Sequence, residues 1–398
     1  MMKRIARIIT GVVGTSAVAA LCAALAIGAA LPDRFVMIDG DGELSIVSRG
    51  YLSADIGELE NGVGEAEVKL LGCVAVKQVS VAVVEEKSVI VSGAPIGIKM
   101  FTEGAVVVGM TDVNSEEGMR SPAREAGLRI GDVIIEANGK AVAGNEQFSE
   151  AISSGGEDIP IKYERGGRIE ETLLTPARLK EGGYRAGIWV RDSAAGIGTL
   201  TFYLPSEGRF AGLGHAVCDV DTGQILPLRS GELVNVLVTG VVQGRAGKPG
   251  ELTGVFSGGA AIGRLEMNND TGIYGTMAEA PEGIAAELAL RNEVQTGPAT
   301  ILATVEGAQA REYKVYIEKV NLTDRNPTKN MVIRIEDSGL LEKTGGIVQG
   351  MSGCPIMQNG KLVGAVTHVF VNDPTRGYGI FAENMLDNIS CGAEEPAA

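Results

Sequence analysis

The stretch Gly350-Met351-Ser352-Gly353-Cys354-Pro355 places a serine between two glycines, and an apolar segment from Gly360 to His368 follows it. This arrangement is typical of an exposed nucleophile beside an oxyanion hole, the set of N–H donors that stabilises a developing negative oxygen. We expect the backbone N–H groups of Gly350 and Ser352 to be these donors, because glycine at position 350 allows the required backbone conformation. The stretch therefore indicates acyl-transfer chemistry with Ser352 as the nucleophile.

A serine nucleophile needs a base with a pKa near 7, and imidazole is the usual supplier. The chain contains only two histidines, His215 and His368. The serine motif resembles that of chymotrypsin-like peptidases, in which the first barrel supplies the base and the second supplies the nucleophile. His215 lies well upstream of the serine and is the predicted base. His368 lies on the strand that matches the substrate-pairing strand of such enzymes and is predicted to shape the cleft.

A third group should orient the imidazole and stabilise its charged form. Asp337 is the preferred candidate, and Asp219 and Asp221, close to the predicted base in sequence, remain alternatives. The interval from Asp337 to the serine is shorter than in trypsin-like chains. An aspartate followed by Ser-Gly is equally typical of a turn residue that makes an Asx-type hydrogen bond.

Composition limits the fold class and the partners. The chain has 398 residues with 56 glycines and only 4% aromatic residues, which favours several β-rich modules with tight turns. The formal charge of -15 comes with no compensating basic block, so nucleic acid is an unfavourable partner. The five cysteines show no metal-site spacing. No metal or organic cofactor is expected.

The N-terminus differs from the rest of the chain. Lys3, Arg4 and Arg7 precede an uncharged run at residues 8–31. The length fits a transmembrane helix or a long signal-peptide core, and we favour a retained anchor with the rest of the chain across the membrane. Residues 35–91 read as short strands of a connecting region.

Residues 92–177 resemble a PDZ domain. The segments that carry this resemblance are Ala126-Gly127-Leu128, Gly131-Asp132-Val133-Ile134 and Asn138-Gly139-Lys140. In PDZ domains an apolar-glycine-apolar loop offers N–H groups to a peptide carboxylate, and the peptide adds as a strand beside a helix. The resemblance implies that Ile96, Gly97 and Ile98 form this loop, with a helix over residues 145–153 as the wall. The expected ligand is a peptide C-terminus or a segment of the chain itself.

The chain as a whole resembles the stage IV sporulation protein B (SpoIVB) peptidase family. The segments that carry this resemblance are Gly212-Leu213-Gly214-His215, Gly346-Ile347-Val348-Gln349-Gly350-Met351-Ser352-Gly353 and Gly364-Ala365-Val366-Thr367-His368. The resemblance implies a sporulation signalling serine peptidase in the space between the forespore membranes. Such a peptidase cleaves itself and then cuts a membrane-bound regulator of an intramembrane protease. This cut leads to processing of a sigma factor precursor in the mother cell.

The predicted fold is mainly β. It comprises a cytoplasmic tail and transmembrane anchor (1–34), a connecting region (35–91), a PDZ domain (92–177) and a chymotrypsin-like double β-barrel peptidase domain (178–398).

Trypsin-like enzymes carry an aspartate at the position of Met351, where it binds a newly freed N-terminus, so a different activation is expected here. Two alternatives are a quality-control serine peptidase with a PDZ sensor and a noncatalytic PDZ scaffold.

Overall fold

The computed structural model describes residue 18 and residues 21–38, 51–154, 158–323 and 326–391. Half of the apolar run at residues 8–31, predicted to be an anchor, lies outside these ranges. Within the ranges, no helix combines the length and the apolar character that a membrane crossing requires.

The strands in chain order are β1 (Arg34–Ile38), β2 (Leu52–Ile56), β3 (Val63–Leu70), β4 (Val74–Val84), β5 (Ser88–Val91), β6 (Pro95–Met110), β7 (Val113–Ser115), β8 (Gly118–Arg120), β9 (Val133–Ala137), β10 (Lys140–Ala141), β11 (Ile159–Arg165), β12 (Arg168–Leu174), β13 (Ala177–Arg178), β14 (Tyr184–Arg185), β15 (Ile188–Leu204), β16 (Arg209–Gly212), β17 (Leu228–Val242), β18 (Glu251–Phe256), β19 (Gly263–Asn269), β20 (Gly272–Met277), β21 (Ile284–Glu287), β22 (Gly297–Ala303), β23 (Arg311–Val320), β24 (Met331–Ile335), β25 (Pro355–Gln358), β26 (Lys361–Phe370) and β27 (Asp373–Phe381). The helices are α1 (residues 21–30), α2 (Pro122–Glu125), α3 (Asn145–Ser153), α4 (Ser338–Thr344) and α5 (Ala382–Cys391).

The predicted connecting region contains a small sheet with its own core. Its strand order is β1-β4-β3-β2, with β1 parallel to β4 and the other pairs antiparallel. Alternating residues of these strands are buried together, among them Phe35, Val68 and Val81. This alternation is the pattern that a sheet with one covered face requires.

The first barrel closes because β15 pairs with β6 as well as with β16. Around the barrel the strand order is β6-β17-β19-β20-β16-β15. Its core contains Met100, Phe210 and Leu265. Antiparallel closure satisfies the backbone of each of these strands without leaving long free edges, except where a strand extends past its partner.

The second barrel is closed by β22-β23-β24-β27-β26-β25. Met331, Ile333 and Ile335 alternate inward along β24, and Ile301 and Val366 are buried in the same core. The predicted mainly β architecture with a PDZ domain and a double β-barrel is therefore confirmed in the described part of the chain.

The domain boundaries differ from the predicted ones. β5 and β6 precede the PDZ segment, but both pair with β15 of the first barrel. The PDZ segment, built from β7 to β14 with α2 and α3, is thus inserted between two barrel strands. The peptidase domain does not begin at residue 178, because a barrel that started there would lack β6, which separates β15 from β17.

Candidate active site

Ser352 lies in the loop between α4 and β25. Gly350 has a φ of 97° and Gly353 a φ of 93°, a backbone conformation that residues with a Cβ rarely adopt. A Cβ on Gly353 would collide with the carbonyl oxygen of Thr199 in the first barrel. The two glycines therefore allow the loop to turn and to pack closely against β15.

Strand β15 holds the carbonyl groups of this loop. Thr199 Oγ1 donates to Gly350 O at 2.8 Å, Thr199 N donates to Ser352 O at 3.1 Å, and Thr201 Oγ1 donates to Gly353 O at 2.8 Å. The amides of Gly350 and Ser352 donate to no acceptor in the described residues. Both N–H groups that the sequence predicts as oxyanion donors thus remain available to a ligand.

His215 follows the turn after β16, where Leu213 and Gly214 both have positive φ. Its Nδ1 lies 2.8 Å from the carbonyl oxygen of Ala216. Because a carbonyl oxygen only accepts hydrogen bonds, Nδ1 carries the proton and the lone pair lies on Nε2. Burial lowers the pKa of His215, while the bond to Ala216 opposes this shift. The imidazole is therefore neutral near pH 7, the state that a general base requires.

His368 lies at the same cleft. Its ring centroid is 5.0 Å from that of His215, with the planes tilted by 39°. Burial, His215 and Lys329 together lower the pKa of His368 to about 4. Ser352 Oγ donates to the carbonyl of Thr367 at 2.9 Å and bonds to neither histidine. The structure thus brings the predicted nucleophile and both histidines to one site, with the serine in a resting hydrogen bond.

None of the three candidate carboxylates bonds to His215. Asp337 is the N-cap of α4, and its Oδ1 accepts from Leu340 N at 3.0 Å. The buried carboxylate of Asp219 forms an ion pair with Arg191, whose Nη2 also lies 2.8 Å from Asp221 Oδ2. Asp337 therefore caps the N-terminus of α4, and its hydrogen bond resembles the Asx-type bond that its sequence context also allows. The group that orients the imidazole is instead the carbonyl of Ala216, which no side-chain pattern signals.

The cleft around these residues has a volume of about 740 Å³ and is mostly apolar. Its walls are residues 193–197 of β15, residues 215–218 and Val220, residues 347–350 before the nucleophile, and residues 367–369. Among the described residues that line the cleft, Arg191 is the one that carries a permanent charge. Such a cleft fits an extended peptide with uncharged side chains next to the bond that reacts.

The residues predicted to bind a peptide carboxylate do not form a loop. Ile96, Gly97 and Ile98 lie inside β6, where they pair with β15 on one edge and with β17 on the other. Gly97 is required by packing, because a Cβ there would lie 2.7 Å from Val234 Cγ2. With both edges already paired, this segment cannot accept a peptide strand.

The PDZ groove lies instead between α3 and the first residues of β15. It is a cavity of about 730 Å³ lined by Phe148 and Ile152 of α3 and by residues 184–190. Gly187 has a φ of 66°, and the amides of Ala186 and Gly187 donate to no acceptor in the described residues. The signal was present in the sequence, since Ala186-Gly187-Ile188 is a second apolar-glycine-apolar motif. The predicted helix over residues 145–153 does wall the groove.

Two sulfur-containing side chains next to the nucleophile, Cys354 and Met351, are buried in the core. Cys354 is fully buried, and burial raises the pKa of its thiol to about 12, so it does not compete with Ser352 as a nucleophile. Met351 is also fully buried, in the core of the second barrel. In the described ranges, no group of three or more His, Cys, Asp or Glu side chains is arranged to hold a metal ion.

Comparison with known families gives two matches. Residues 182–386, just over half of the chain, match the SpoIVB peptidase S55 family. Residues 116–165 match the PDZ domain family.

The matches to individual curated proteins cover a smaller part of this chain than the family match does. A putative zinc metalloprotease of Bartonella henselae is 36% identical over 80 residues, which is 20% of this chain and 22% of that protein. The regulator of sigma E protease of Haemophilus influenzae is 37% identical over 76 residues, or 19% and 17% of the two chains. The chain thus spans about a fifth of the length of these curated relatives.

Among solved structures, the active form of the Rv3671c protease from M. tuberculosis is 16% identical with a TM-score of 0.29, covering 52% of this chain and 78% of that one. The PDZ domain of an SdrC-like protein from Listeria monocytogenes is 25% identical with a TM-score of 0.18, covering 22% and 87%.

Proposed function

The chain belongs to the SpoIVB peptidase S55 family, and we propose that it is a serine endopeptidase with Ser352 as nucleophile and His215 as general base. The observation that carries this proposal is one cleft that holds both side chains beside two unpaired backbone amides. The inserted PDZ segment supports a protein substrate.

The reaction begins when Ser352 leaves its hydrogen bond with Thr367 and turns toward Nε2 of His215. The imidazole removes the hydroxyl proton as Oγ attacks the peptide carbonyl carbon, and the charge on the oxygen is held by the amides of Gly350 and Ser352. The C–N bond then breaks, and His215 gives the proton to the leaving amine. Water adds to the acyl carbon with His215 again as base, and the carboxylic acid leaves with Ser352 restored.

The carbonyl of Ala216 takes the orienting role that an aspartate has in many serine peptidases. It fixes Nδ1–H by the 2.8 Å hydrogen bond and so keeps the lone pair of Nε2 directed to the cleft. A neutral carbonyl stabilises the imidazolium less than a carboxylate does. The proton-transfer steps are therefore expected to be slower than with an aspartate in this position.

We further infer a role in sporulation signalling. The peptidase is anchored in the forespore membrane through residues 8–31, acts in the intermembrane space, cleaves itself, and cuts a membrane-bound regulator of an intramembrane protease. Family membership and the basic flank of the apolar run support this role. A quality-control peptidase would instead degrade unfolded proteins broadly, and a scaffold would have no reactive serine.

The test is to incubate purified full-length protein, wild type and Ser352→Ala, with a reconstituted membrane-bound regulator and with an unfolded protein, and to map new N-termini. We expect a few cuts in the chain itself and in the regulator, all absent from the Ser352→Ala variant. Broad cleavage of the unfolded protein would favour quality control. Cuts that persist in the variant would overturn the peptidase assignment.

A further inference from the structure

One strand lines both grooves of the molecule. Ile188, Trp189 and Val190 of β15 line the PDZ groove, while residues 193–197 of the same strand line the catalytic cleft. The two cavities are therefore consecutive along β15: Val190 lines the first, Arg191 lines the second, and Asp192 lies at their boundary without lining either.

The edge of β15 that faces the grooves is unpaired along this length. From Ile188 to Thr199, β6 occupies one edge of β15. On the other edge, within the described ranges, the first paired residue is Thr199, whose N–H donates to Ser352 O and whose carbonyl accepts from Leu213 N. A free strand edge next to a groove is the structural requirement for a peptide that binds by adding a strand.

The boundary between the grooves is built from side chains of β15. Asp192 Oδ2 accepts from Asn145 N at 2.9 Å and so holds the N-terminus of α3 next to the strand. Arg191 joins the strand to the segment after His215 through Asp219 and Asp221. The helix that walls one groove and the segment that walls the other are thus both tied to neighbouring residues of one strand.

The end of the PDZ groove fixes the direction of a bound peptide. The free amides of Ala186 and Gly187 precede β15, and the charged residues that line the cavity are Asp112, Lys180, Glu181 and Arg185. The two free amides suit a terminal carboxylate. A peptide that places its carboxylate there and runs antiparallel to β15 extends toward residue 197, and so toward the cleft.

The length of β15 between the two grooves sets the number of residues between the substrate C-terminus and the scissile bond. Ser352 lies level with Thr199, whose N–H donates to its carbonyl. Strands rise about 3.3 Å per residue, and antiparallel partners advance at equal rates, so roughly ten residues of an extended chain fit between Gly187 and the serine. The register of the β6–β15 pairing shifts twice along this length, between Trp189 and Val190 and between Arg191 and Ser193.

We propose that one substrate chain pairs with β15 across both grooves, with its C-terminal carboxylate at Gly187 and its scissile bond at Ser352. The preferred substrate is an extended polypeptide tail with a free C-terminus, cut roughly ten residues before its end. This inference rests on the proposed peptidase function and adds a length rule to it.

The test needs no known substrate. A mixed peptide library from a digested proteome is incubated with the full-length protein, and mass spectrometry records the distance from each cut to the peptide C-terminus. We expect a maximum at roughly ten residues that falls at least about tenfold when the library is C-terminally amidated. Cuts without a preferred distance would overturn the length rule and leave the peptidase intact. No cuts at all would overturn both.

Two matched variants of α3 distinguish the effect of blocking the PDZ groove from a general effect on folding. Ser149 lines the PDZ groove from α3, whereas Gln147 is exposed on the same helix and does not line it. Ser149→Trp should abolish the preferred distance, and Gln147→Trp should retain it. Equal behaviour of the two variants would contradict the proposal.

A change in substrate length is a further test. Adding four residues to the C-terminus of one cleaved peptide should move the cut by four residues toward the new C-terminus. A cut that stays at the same bond at an unchanged rate would contradict the proposal.

Discussion

At the scale of single residues, the tautomer of His215 is set by a backbone group. Nδ1 faces the carbonyl of Ala216, so Nε2 is the only ring nitrogen that can accept the serine proton. Burial favours the neutral ring and lowers its pKa below the ordinary value of 6.5. The base is therefore ready at a pH where an exposed histidine would already be protonated.

This lowered pKa predicts the acidic limb of the pH profile. Because kcat/KM requires neutral His215, the limb should have its midpoint below pH 6.5. The control is His368→Phe, which should leave the midpoint in place, since burial, His215 and Lys329 lower the pKa of His368 to about 4 and so keep it neutral over this range. A limb at or above pH 7, or one that moves only in His368→Phe, would contradict the assignment.

Asp337 offers a second test at this scale. As an N-cap that accepts from Leu340 N, it should be replaced well by asparagine, while Asp337→Ala should cost about 1 kcal/mol of folding free energy. We expect kcat/KM of Asp337→Asn to stay near that of the wild type, measured with thermal unfolding of both variants. A triad aspartate would instead lose roughly 10⁴-fold in kcat on this change.

Some residues of the site can be identified from the sequence, and others cannot. Ser352 and His215 stand out because the serine lies in a distinctive glycine motif and the chain has only two histidines. The orienting group could not be found, because a backbone carbonyl leaves no mark on residue identity. Asp337 fitted two roles in sequence, and only its hydrogen bond to Leu340 distinguishes the cap from the triad.

At the scale of elements, β15 connects the PDZ groove, the catalytic histidine segment and the serine loop. Two apolar-glycine-apolar segments, residues 96–98 inside β6 and residues 186–188 at the start of β15, look alike in sequence. Gly97 is needed because Val234 and Phe256 pack against it, whereas Gly187 is needed for its positive φ. Short motifs do not encode this difference, so the predicted carboxylate loop at residues 96–98 is wrong.

The ion pair of Arg191 predicts a stability difference. The Asp219 side chain is completely buried and that of Asp221 is 58% exposed. Arg191→Ala leaves a buried carboxylate without its cation and should cost about 3 kcal/mol of unfolding free energy in urea titrations. Asp221→Ala removes only the exposed partner and should cost less than about 1 kcal/mol. Equal losses in the two variants would show that burial of Asp219 is not the cause.

At the scale of the whole molecule, the PDZ segment is an insertion within the first barrel. A linear reading of the sequence places it before the peptidase domain, because the PDZ motifs are contiguous and the pairing of β6 with β15 and β17 is not visible locally. The fold class was predictable from glycine-rich, strand-like patterns. The order of the domains was not, because it depends on contacts between distant segments.

The insertion predicts which truncations fold. Val107 pairs with Val190, so replacing residues 108–189 by Asn-Gly should close a hairpin and leave both barrels intact. This variant should unfold cooperatively and cut free and amidated peptides equally. A fragment of residues 178–398 lacks β5 and β6 and should not fold, as judged by circular dichroism. A folded, active fragment would contradict the inserted arrangement.

In the proposed reaction Ser352, activated by His215, attacks the substrate. Labelling the full-length protein with a serine-directed phosphonate, followed by mass spectrometry of the modified residue, tests this attack. The structure predicts an adduct on Ser352 in the wild type, much slower labelling in His215→Ala, and no adduct at this loop in Ser352→Ala. Unlabelled Ser352 in a protein that still cleaves peptides would contradict the assignment of Ser352 as the nucleophile.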